Sequence, residues 1–421
     1  MNIAHADTLT LPLTISTSGD TPAGAAAQGF RNTCGALSDL VSLDVGQQNF
    51  SLVCEQIENA TPTAQEISNA LESLSARTIT SIINYTARTP IASDYGRISG
   101  FTRLNNLSKP KASNSFSRNV KPRLFFQSGS DSGSRWWEKF NFYSSVNSTS
   151  NEQARTQRDA KSVGSSFGFV IGADTALRKN IEVGMAIDVS GANFDVEQTT
   201  TLQVRRQTMV GYGSLDVTNS WFIETAGSLS NISYELTRPI DFSLAQQDFQ
   251  EKAKSSSRGT QLNASVGTGY QFYLPYGTSL VAWGDLNAVR TQVDSFQEKN
   301  ANGLGLEIDA IDVYVGQWRL GVDTSKPLYQ GWGIIMPQLS VLYVSEFYNK
   351  GRPVSSEFVS DPSDNKFNFR SDDRDAKYLD INLGISFIFQ KGKSAYVSYR
   401  KYFFINEYSQ STFSLGFRME F

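Results

Sequence analysis

Hydrophobic residues recur at every second position over long stretches of the C-terminal two thirds of the chain. Residues 379–389 are apolar at each odd position and polar or small at most even positions, and 181–189, 262–272 and 413–421 show the same alternation. Because successive side chains of a strand point to opposite faces, each stretch predicts a β-strand with one apolar face. The opposite face carries small, amide and carboxylate residues, which suit a hydrated interior better than a dry core.

Twelve segments with this alternation can be placed along the chain. They cover residues 135–147, 162–176, 181–195, 203–217, 219–234, 258–273, 278–295, 305–324, 331–348, 376–390, 393–403 and 410–421. Connections after the even-numbered strands are tight, whereas those after the odd-numbered strands are mostly long and polar, as in 149–161, 235–257 and 349–375. Short turns on one rim and longer loops on the other are typical of outer-membrane barrels, whose two ends lie on the short-turn side. The pattern predicts an all-β membrane protein, a 12-stranded antiparallel outer-membrane β-barrel with a small N-terminal α-helical region.

A soluble β-sandwich or propeller would also alternate apolar and polar residues. Its strands would average ~5–6 residues, far fewer than most of these segments contain. A soluble fold also does not require short and long connections to alternate along the chain. Tyr and Trp favour membrane interfaces. Aromatic residues near the predicted strand ends are Trp136, Trp137, Trp221, Trp332, Tyr343, Phe347, Tyr402 and Phe403. These observations favour an integral protein of the cell outer membrane, with the lipid bilayer as its surroundings.

Composition narrows the possible functions further. The chain of 421 residues has a net charge of −3, which gives no indication of a nucleic-acid partner. It contains no apolar run of the ~18 residues that a transmembrane helix needs. A barrel has no such requirement, because its strands span the membrane with alternating polarity.

Upstream of the barrel, the apolar spacing becomes helical. In residues 61–88 the apolar positions are Ile67, Leu71, Leu74, Ile79, Ile82 and Ile83. This spacing predicts one long helix, and Thr63 with Glu66 forms a possible capping box at its start. Residues 1–60 are expected to form a short N-terminal segment with a helical hairpin, and 89–134 a polar linker, so that the barrel domain is 135–421.

Cys34 and Cys54 are the two cysteines of the chain. In an oxidising compartment they would form one disulfide that clamps the predicted hairpin. Two buried free thiols are the alternative. A metal site of soft ligands is not expected, because the chain has a single histidine, His5.

The order of these segments, together with several stretches of sequence, resembles a known family. A short cysteine-bearing helical segment is followed by a long helix and twelve strands, and the stretches "YGRISGFTRL", "SSFGFVIGADTALRKNIEVGMAIDVS", "QLSVLYVSEFYN" and "FSLGFRMEF" are similar to those of the C-terminal translocator domain of classical autotransporters. The resemblance implies a barrel in the outer membrane of a Gram-negative bacterium, a helix in its pore and an N-terminal passenger carried to the cell surface. Because only about 60 residues precede the long helix, a long β-helical passenger is not expected.

The C-terminal strand resembles the assembly signal of Gram-negative outer-membrane proteins, which the barrel-assembly machinery recognises. Its alternating apolar residues are Phe413, Leu415, Phe417, Met419 and Phe421. In a closed barrel the last strand pairs with the first, so no apolar edge is left free.

Catalytic chemistry is not predicted. With His5 as the single histidine, no Ser-His-Asp triad can be built in the barrel, and no G-x-S-x-G motif is evident. Some autotransporters cleave themselves between two asparagines inside the pore, and the pair Asn105-Asn106 is a candidate, although it follows the long helix instead of starting it. The acidic stretches 300–309 and 361–375 could bind Ca²⁺, but solvated surface loops are the favoured interpretation. No cofactor is expected.

Three functions remain open from the sequence. The barrel could display a short helical domain, or it could be a structural anchor whose N-terminal region binds other proteins of the cell envelope. A plugged solute channel is the third, with Glu182, Asp188, Asp380 and Asn382 lining a lumen of no marked charge. The pore would be filled either by the helix of 63–87 or by the extended segment 89–122, and the latter is favoured because the helix carries an apolar stripe that a polar lumen would not satisfy.

Overall fold

The computed structural model describes residues 21–59, 62–87 and 140–420, apart from 198, 246, 349 and 391. Several predicted features therefore lie outside the described residues: the linker 89–134, the pore segment 89–122, the pair Asn105-Asn106, and Phe421.

The described chain begins with four helices and continues with seventeen strands. The helices are α1 (Pro22–Ser38), α2 (Val45–Asn59), α3 (Ala64–Leu74) and α4 (Thr80–Ala87). The strands are β1 (Asn141–Gln153), β2 (Ser162–Arg178), β3 (Ile181–Val196), β4 (Thr200–Asp216), β5 (Trp221–Leu244), β6 (Gln247–Tyr273), β7 (Ser279–Val293), β8 (Phe296–Gln297), β9 (Leu306–Ile308), β10 (Ile311–Ser325), β11 (Leu328–Gln330), β12 (Gly333–Glu346), β13 (Pro353–Phe358), β14 (Phe367–Arg370), β15 (Lys377–Phe389), β16 (Lys393–Phe403) and β17 (Tyr408–Met419). None of the described helices is long and apolar enough to span a membrane.

Twelve long antiparallel strands close into a barrel, as the sequence predicts. They are all the strands except β8, β9, β11, β13 and β14, and each pairs with its neighbours along the chain. Closure occurs where β1 pairs with β17, with Phe142 opposite Met419 and Gln153 opposite Tyr408. Because every barrel strand has a partner on both sides, the last strand has no free edge.

Buried and exposed residues alternate along the barrel strands. On β4 every residue from Thr200 to Val210 changes class from its neighbour. The outward face carries exposed apolar side chains such as Phe167, Leu262 and Phe413, while the inward face carries buried polar ones such as Asp188. This is the distribution of a barrel with lipid outside and a polar lumen inside.

We call the end of the barrel with the tight turns the short-turn rim and the opposite end the long-loop rim. The turns between β2 and β3 and between β15 and β16 belong to the short-turn rim, together with the start of β1 and the end of β17. The connections at the long-loop rim include a second sheet of four short strands in the order β14-β13-β9-β8.

The structure corrects the strand boundaries at the long-loop rim. Residues 235–257, expected to be a polar loop, continue β5 and β6 as one hairpin that is paired as far as Leu244 and Gln247. Pro239 hides this extension in the sequence, because a proline in a segment that otherwise has a strand pattern argues against a strand. The predicted strand 305–324 begins only at Ile311, since the residues before it pair with β13 in the second sheet.

The stretch expected to be one long helix is divided into α3 and α4. A 3₁₀ turn, Arg77–Ile79, separates them. The side chain of Ser75 donates to the carbonyl of Glu72 at 2.8 Å and ends α3, while the Thr63–Glu66 capping box starts it. The break lets α3 pack on the β5 extension while α4 packs against β10.

Candidate functional site

The four helices cover the long-loop rim of the barrel, and we call residues 21–59 and 62–87 the helical cap. Its hydrophobic core is shared with the barrel connections: Phe50 contacts Phe30 at 5.1 Å and Phe358 of β13 at 5.0 Å between ring centroids. On the other side, α3 packs against the β5 extension, where Ile240 and Phe242 are buried. The cap therefore has no separate core of its own.

Helix α1 lies very close to the second sheet. Gly29 faces the ring of Phe367 on β14, and a Cβ atom at Gly29 would overlap that ring. Thr33, one turn later, donates through its hydroxyl to the carboxylate of Asp361 at 3.0 Å. The helix surface is thus shaped to fit the loops of this barrel.

A buried ion pair fastens α3 to two barrel connections. The guanidinium of Arg238 on β5 donates to both carboxylate oxygens of Glu298 and also to the carbonyl of Ser73, near the end of α3. Side-chain exposure is 3% for Arg238 and 1% for Glu298. Glu298 accepts a further hydrogen bond from the backbone of Leu306 at 3.0 Å. Such a pair is stable when buried because its polar atoms have partners.

The junction between α3 and α4 is held by the connection between β1 and β2. Arg77 pairs with Glu72 at 3.0 Å and donates to the carbonyl of Gln157 at 3.0 Å. The backbone of Ala160 donates to the hydroxyl of Thr80 at 3.2 Å. Four barrel connections therefore contact the cap, namely those between β1 and β2, β5 and β6, β7 and β10, and β12 and β15.

The acidic stretch 361–375, considered as a Ca²⁺ ligand, makes hydrogen bonds within the protein. Asp361 binds Thr33, Asp373 accepts from the backbone of Gly351 at 2.7 Å, and Asp375 accepts from the backbone of Asn406 at 2.6 Å. Among the described residues no group of three His, Cys, Asp or Glu side chains is arranged to hold a metal ion. These carboxylates order the loops and fasten α1.

Helix α4 turns into the mouth of the lumen. The ring of Tyr85 lies edge-on to Phe194 at 5.3 Å, and the hydroxyl of Thr86 lies 2.9 Å from that of Tyr234. Ser81 and Asn84 line a small pocket between α4 and the barrel wall. The last helix of the cap therefore narrows the lumen at the long-loop rim.

Below α4 the lumen holds a polar cavity of about 190 Å³. Its lining includes Asn147, Ser190, Gln338 and Asn382, together with both signs of charge. The charges are paired across strands, Arg206 with Asp188 at 3.7 Å and Arg400 with Asp380 at 3.5 Å. Asp188, Asp380 and Asn382 thus lie in the wall where the sequence places them, and the paired charges would favour neither anions nor cations.

A further buried ion pair lies at the short-turn end, and we call Arg418 and Asp174 the seam clamp. Both guanidinium NH groups of Arg418 on β17 donate to Asp174 on β2, each at 2.7 Å. Strand β1 lies between these two strands, so the clamp crosses the seam where the barrel closes. Asp174 also accepts from Asn141 at 2.8 Å and from Tyr212 at 3.4 Å.

The residues singled out in the sequence are far apart in the structure. The Cys34–Cys54 disulfide is present and joins α1 to α2. Phe413, Leu415 and Phe417 point outward on β17 and are 40–50% exposed. The sequence pattern does not reveal the seam clamp or the Arg238–Glu298 pair, although a charge on the polar face of a barrel strand is a signal that it has a partner in the lumen.

Comparison with known proteins agrees with this architecture. The family model described as the autotransporter beta-domain matches residues 142–400. The translocator domain of the autotransporter NalP from Neisseria meningitidis is similar over 68% of this chain and 89% of its own, with 13% identity and a TM-score of 0.54. The beta domain of the Bordetella autotransporter Brka is similar over 67% of this chain and 100% of its own, with 16% identity and a TM-score of 0.50. No curated protein matches the chain.

The two solved structures share the fold at low sequence identity, while the family match covers more than half of the chain. Autotransporter translocator barrels are integral to the outer membrane and are generally not enzymes. The chain is a member of the autotransporter beta-domain family, with a closed 12-stranded barrel and a short helical region before it.

Proposed function

We propose that the barrel anchors the helical cap in the outer membrane and displays it on the cell surface. The observation that carries the proposal is the shared core: the aromatic residues of α1 and α2 pack against β13, and α3 packs against the β5 extension. Outer-membrane barrels place their short turns in the periplasm and their longer loops outside. A cap built on the long-loop rim would therefore face the exterior.

Surface accessibility of the cap tests this proposal. A protease-cleavable tag would be inserted beside Val41, whose side chain is fully exposed in the turn between α1 and α2. The matched control carries the same tag in the turn at Tyr276, which is exposed at the short-turn rim. On intact cells we expect cleavage at the first position and protection at the second.

Protection at Val41 with cleavage at Tyr276 would favour the alternative hypothesis, an anchor whose N-terminal region binds envelope proteins in the periplasm. Cleavage at neither position on intact cells, with cleavage at both after permeabilisation, would also contradict display. A tag at Val41 that stays protected while a tag in an exposed loop of the long-loop rim is cleaved would show that the cap is covered by another component.

We assign the role of an assembly signal to the outward apolar row of β17. Phe413, Leu415 and Phe417 would be recognised by the barrel-assembly machinery and then face lipid. Changing Phe413 and Phe417 to Asp should block insertion, because charge on the lipid face costs ~2–4 kcal/mol at midplane for basic residues and less for acidic ones. Ser409→Asp is the control, since Ser409 is exposed on the same strand near the long-loop rim. Normal membrane levels of the double variant would contradict this role.

The polar cavity supports a second candidate function, a solute channel closed by the cap. Residues of α4 narrow the mouth, and the cavity below them is lined by hydroxyl, amide and paired charged groups. Conductance of the purified barrel should be measured before and after deletion of residues 1–87. A large increase in conductance would support closure of the channel by the cap, and an unchanged conductance would leave the channel hypothesis without support.

A further inference from the structure

Two arginines lie in one cross-strand row on the outside of the barrel. Arg205 of β4 is opposite Ser233 of β5, and Ser233 is opposite Arg258 of β6. All three side chains are exposed and belong to the outward-facing positions of their strands. Neighbouring strands are ~4.8 Å apart, so the two arginine positions are ~10 Å apart. Both guanidinium groups can reach a single group above Ser233.

The height of this row follows from the strand geometry. The outward apolar residues of β6 run from Phe272 near the short-turn rim to Leu262. This distance of ten residues corresponds to ~26 Å of height at ~3.4 Å per residue and a tilt of ~40°, which matches the ~25 Å apolar band of outer-membrane barrels. Arg258 is four residues farther along β6, ~10 Å higher. It therefore lies at the level of the lipid headgroups on the long-loop side.

The side chains around the two arginines are donors and acceptors of hydrogen bonds. The row immediately below joins Gln207, Asn231, Thr260 and Gln292 through the pairing of β4 to β7. Below that row the outward residues become apolar, with Met209, Leu229 and Leu262. The arginines thus mark the polar edge of a lipid-facing surface.

Within the described part of the chain, the side chains of Arg205 and Arg258 take part in no ion pair or hydrogen bond. By contrast, Arg290 on β7 pairs with Asp312 at 3.5 Å and lies over the ring of Tyr314. Asp294 lies across from Arg258, where its backbone N–H donates to the Arg258 carbonyl at 2.8 Å, and Glu235 lies one row above Ser233. Both residues are exposed, and neither carboxylate pairs with either arginine. Two unpaired guanidinium groups at headgroup level offer charge and a planar set of donors, which is the geometry that binds phosphate.

We propose that Arg205 and Arg258, with the Ser233 hydroxyl between them, bind the phosphate of an anionic lipid headgroup in the outer leaflet. The headgroup lies across β4, β5 and β6, and its acyl chains continue down the apolar surface beginning at Met209 and Leu262. This assigns a specific lipid site to one side of the barrel wall. It depends on the position of the barrel in the membrane and not on the display of the cap.

Binding of diphosphoryl lipid A to the purified full-length chain tests the proposal. Bound lipid would be counted by native mass spectrometry in detergent over a range of lipid concentrations. We expect one tightly bound lipid and a loss of about fivefold in affinity for Arg205→Gln or Arg258→Gln, or about 25-fold for both together. The double variant with lysine at both positions should keep most of the affinity, because the charge remains.

The matched control is Lys252→Gln with Lys254→Gln, which removes the same charge from exposed positions farther out on β6. An equal loss in this control would show a general effect of net charge and overturn the site. Equal binding of a dephosphorylated lipid A would overturn the role of the phosphate, and displacement by an equal concentration of inorganic phosphate would assign the site to a free anion. A heat-modifiable band on a gel confirms that each variant is a closed barrel, and an intact double variant with unchanged affinity would overturn the proposal.

Discussion

Breaking the seam clamp should destabilise barrel closure more than breaking an exposed ion pair of the same composition. Arg418→Ala removes the two 2.7 Å hydrogen bonds to Asp174. Side-chain exposure is 4% for Arg418 and 0% for Asp174, so water cannot replace the lost partner. Asp174 would keep Asn141 as a close donor and the more distant Tyr212.

The expected magnitude follows from this burial. Removing one partner of a buried pair leaves an uncompensated charge and costs ~3–5 kcal/mol. The pair of Arg290 and Asp312 on the outer surface is the natural comparison, because its atoms are 3.5 Å apart and the side chains are 48% and 47% exposed. Pairs of that kind contribute ~0–1 kcal/mol. Arg418→Ala should therefore cost ~2–5 kcal/mol more than Arg290→Ala.

Urea unfolding in detergent micelles, followed by the heat-modifiable shift on gels, would measure both variants. Two further variants separate charge from packing. Arg418→Lys keeps the charge and loses the bidentate geometry, so its stability should be intermediate. Asp174→Asn added to Arg418→Ala removes the orphaned charge and should recover part of the loss.

Equal destabilisation by Arg418→Ala and Arg290→Ala would refute this reasoning. So would a double variant that is no more stable than Arg418→Ala, since the cost would then come from lost packing and not from an unpaired carboxylate. The comparison is made in one protein and one detergent, so effects of the micelle on the reference state cancel.

Three further predictions concern the helical cap, each read from limited proteolysis of the folded protein. Gly29→Val should free α1 from the second sheet and expose the cap to protease, whereas Gly35→Ala, with open space around it, should not. Replacing both Cys34 and Cys54 by Ser should cost the cap ~3 kcal/mol, the loop-closure entropy of their 20-residue separation; unchanged protection would contradict this. Thr63→Ala should cost ~1 kcal/mol. The backbone hydrogen bond from Thr63 holds the pKa of Glu66 below its ordinary value. The stabilisation of α3 by the Thr63–Glu66 capping box should therefore be present at neutral pH and decline as the pH falls through that lowered pKa.

The barrel could be predicted from the sequence because apolar and polar residues alternate at every second position along its strands. Residues 379–389 show this alternation, and short connections follow the even-numbered strands while longer ones follow the odd-numbered strands. Strand number and closure can therefore be predicted from the local pattern. The strand boundaries that the sequence predicts incorrectly lie at the long-loop rim. There the β5 extension contains Pro239, and its apolar face is covered by α3, a contact between residues far apart in the chain.

The buried ion pairs could not be predicted for a related reason. Arg238, Arg418 and Asp174 are recognisable as charges on inward faces of strands, but their partners are fixed by register and by the curvature of the closed barrel. Glu298 lies in a connection whose path the sequence pattern does not reveal. Likewise, α3 ends at the local hydrogen bond of Ser75, but the turn between α3 and α4 is held in place by the tertiary contact of Arg77 with Gln157.

The shared core of the helical cap has a consequence for the order of folding. Phe30 and Phe50 both pack against Phe358 of β13, and α3 packs more extensively on the β5 extension than on α1. Contacts of such long sequence separation form late, because loop closure must come first. The helices, although α1 and α2 are joined by the disulfide, would therefore lack most of their packing until the barrel connections are ordered. The helical cap then folds onto the long-loop rim of the barrel. A folded cap therefore indicates that barrel assembly is complete.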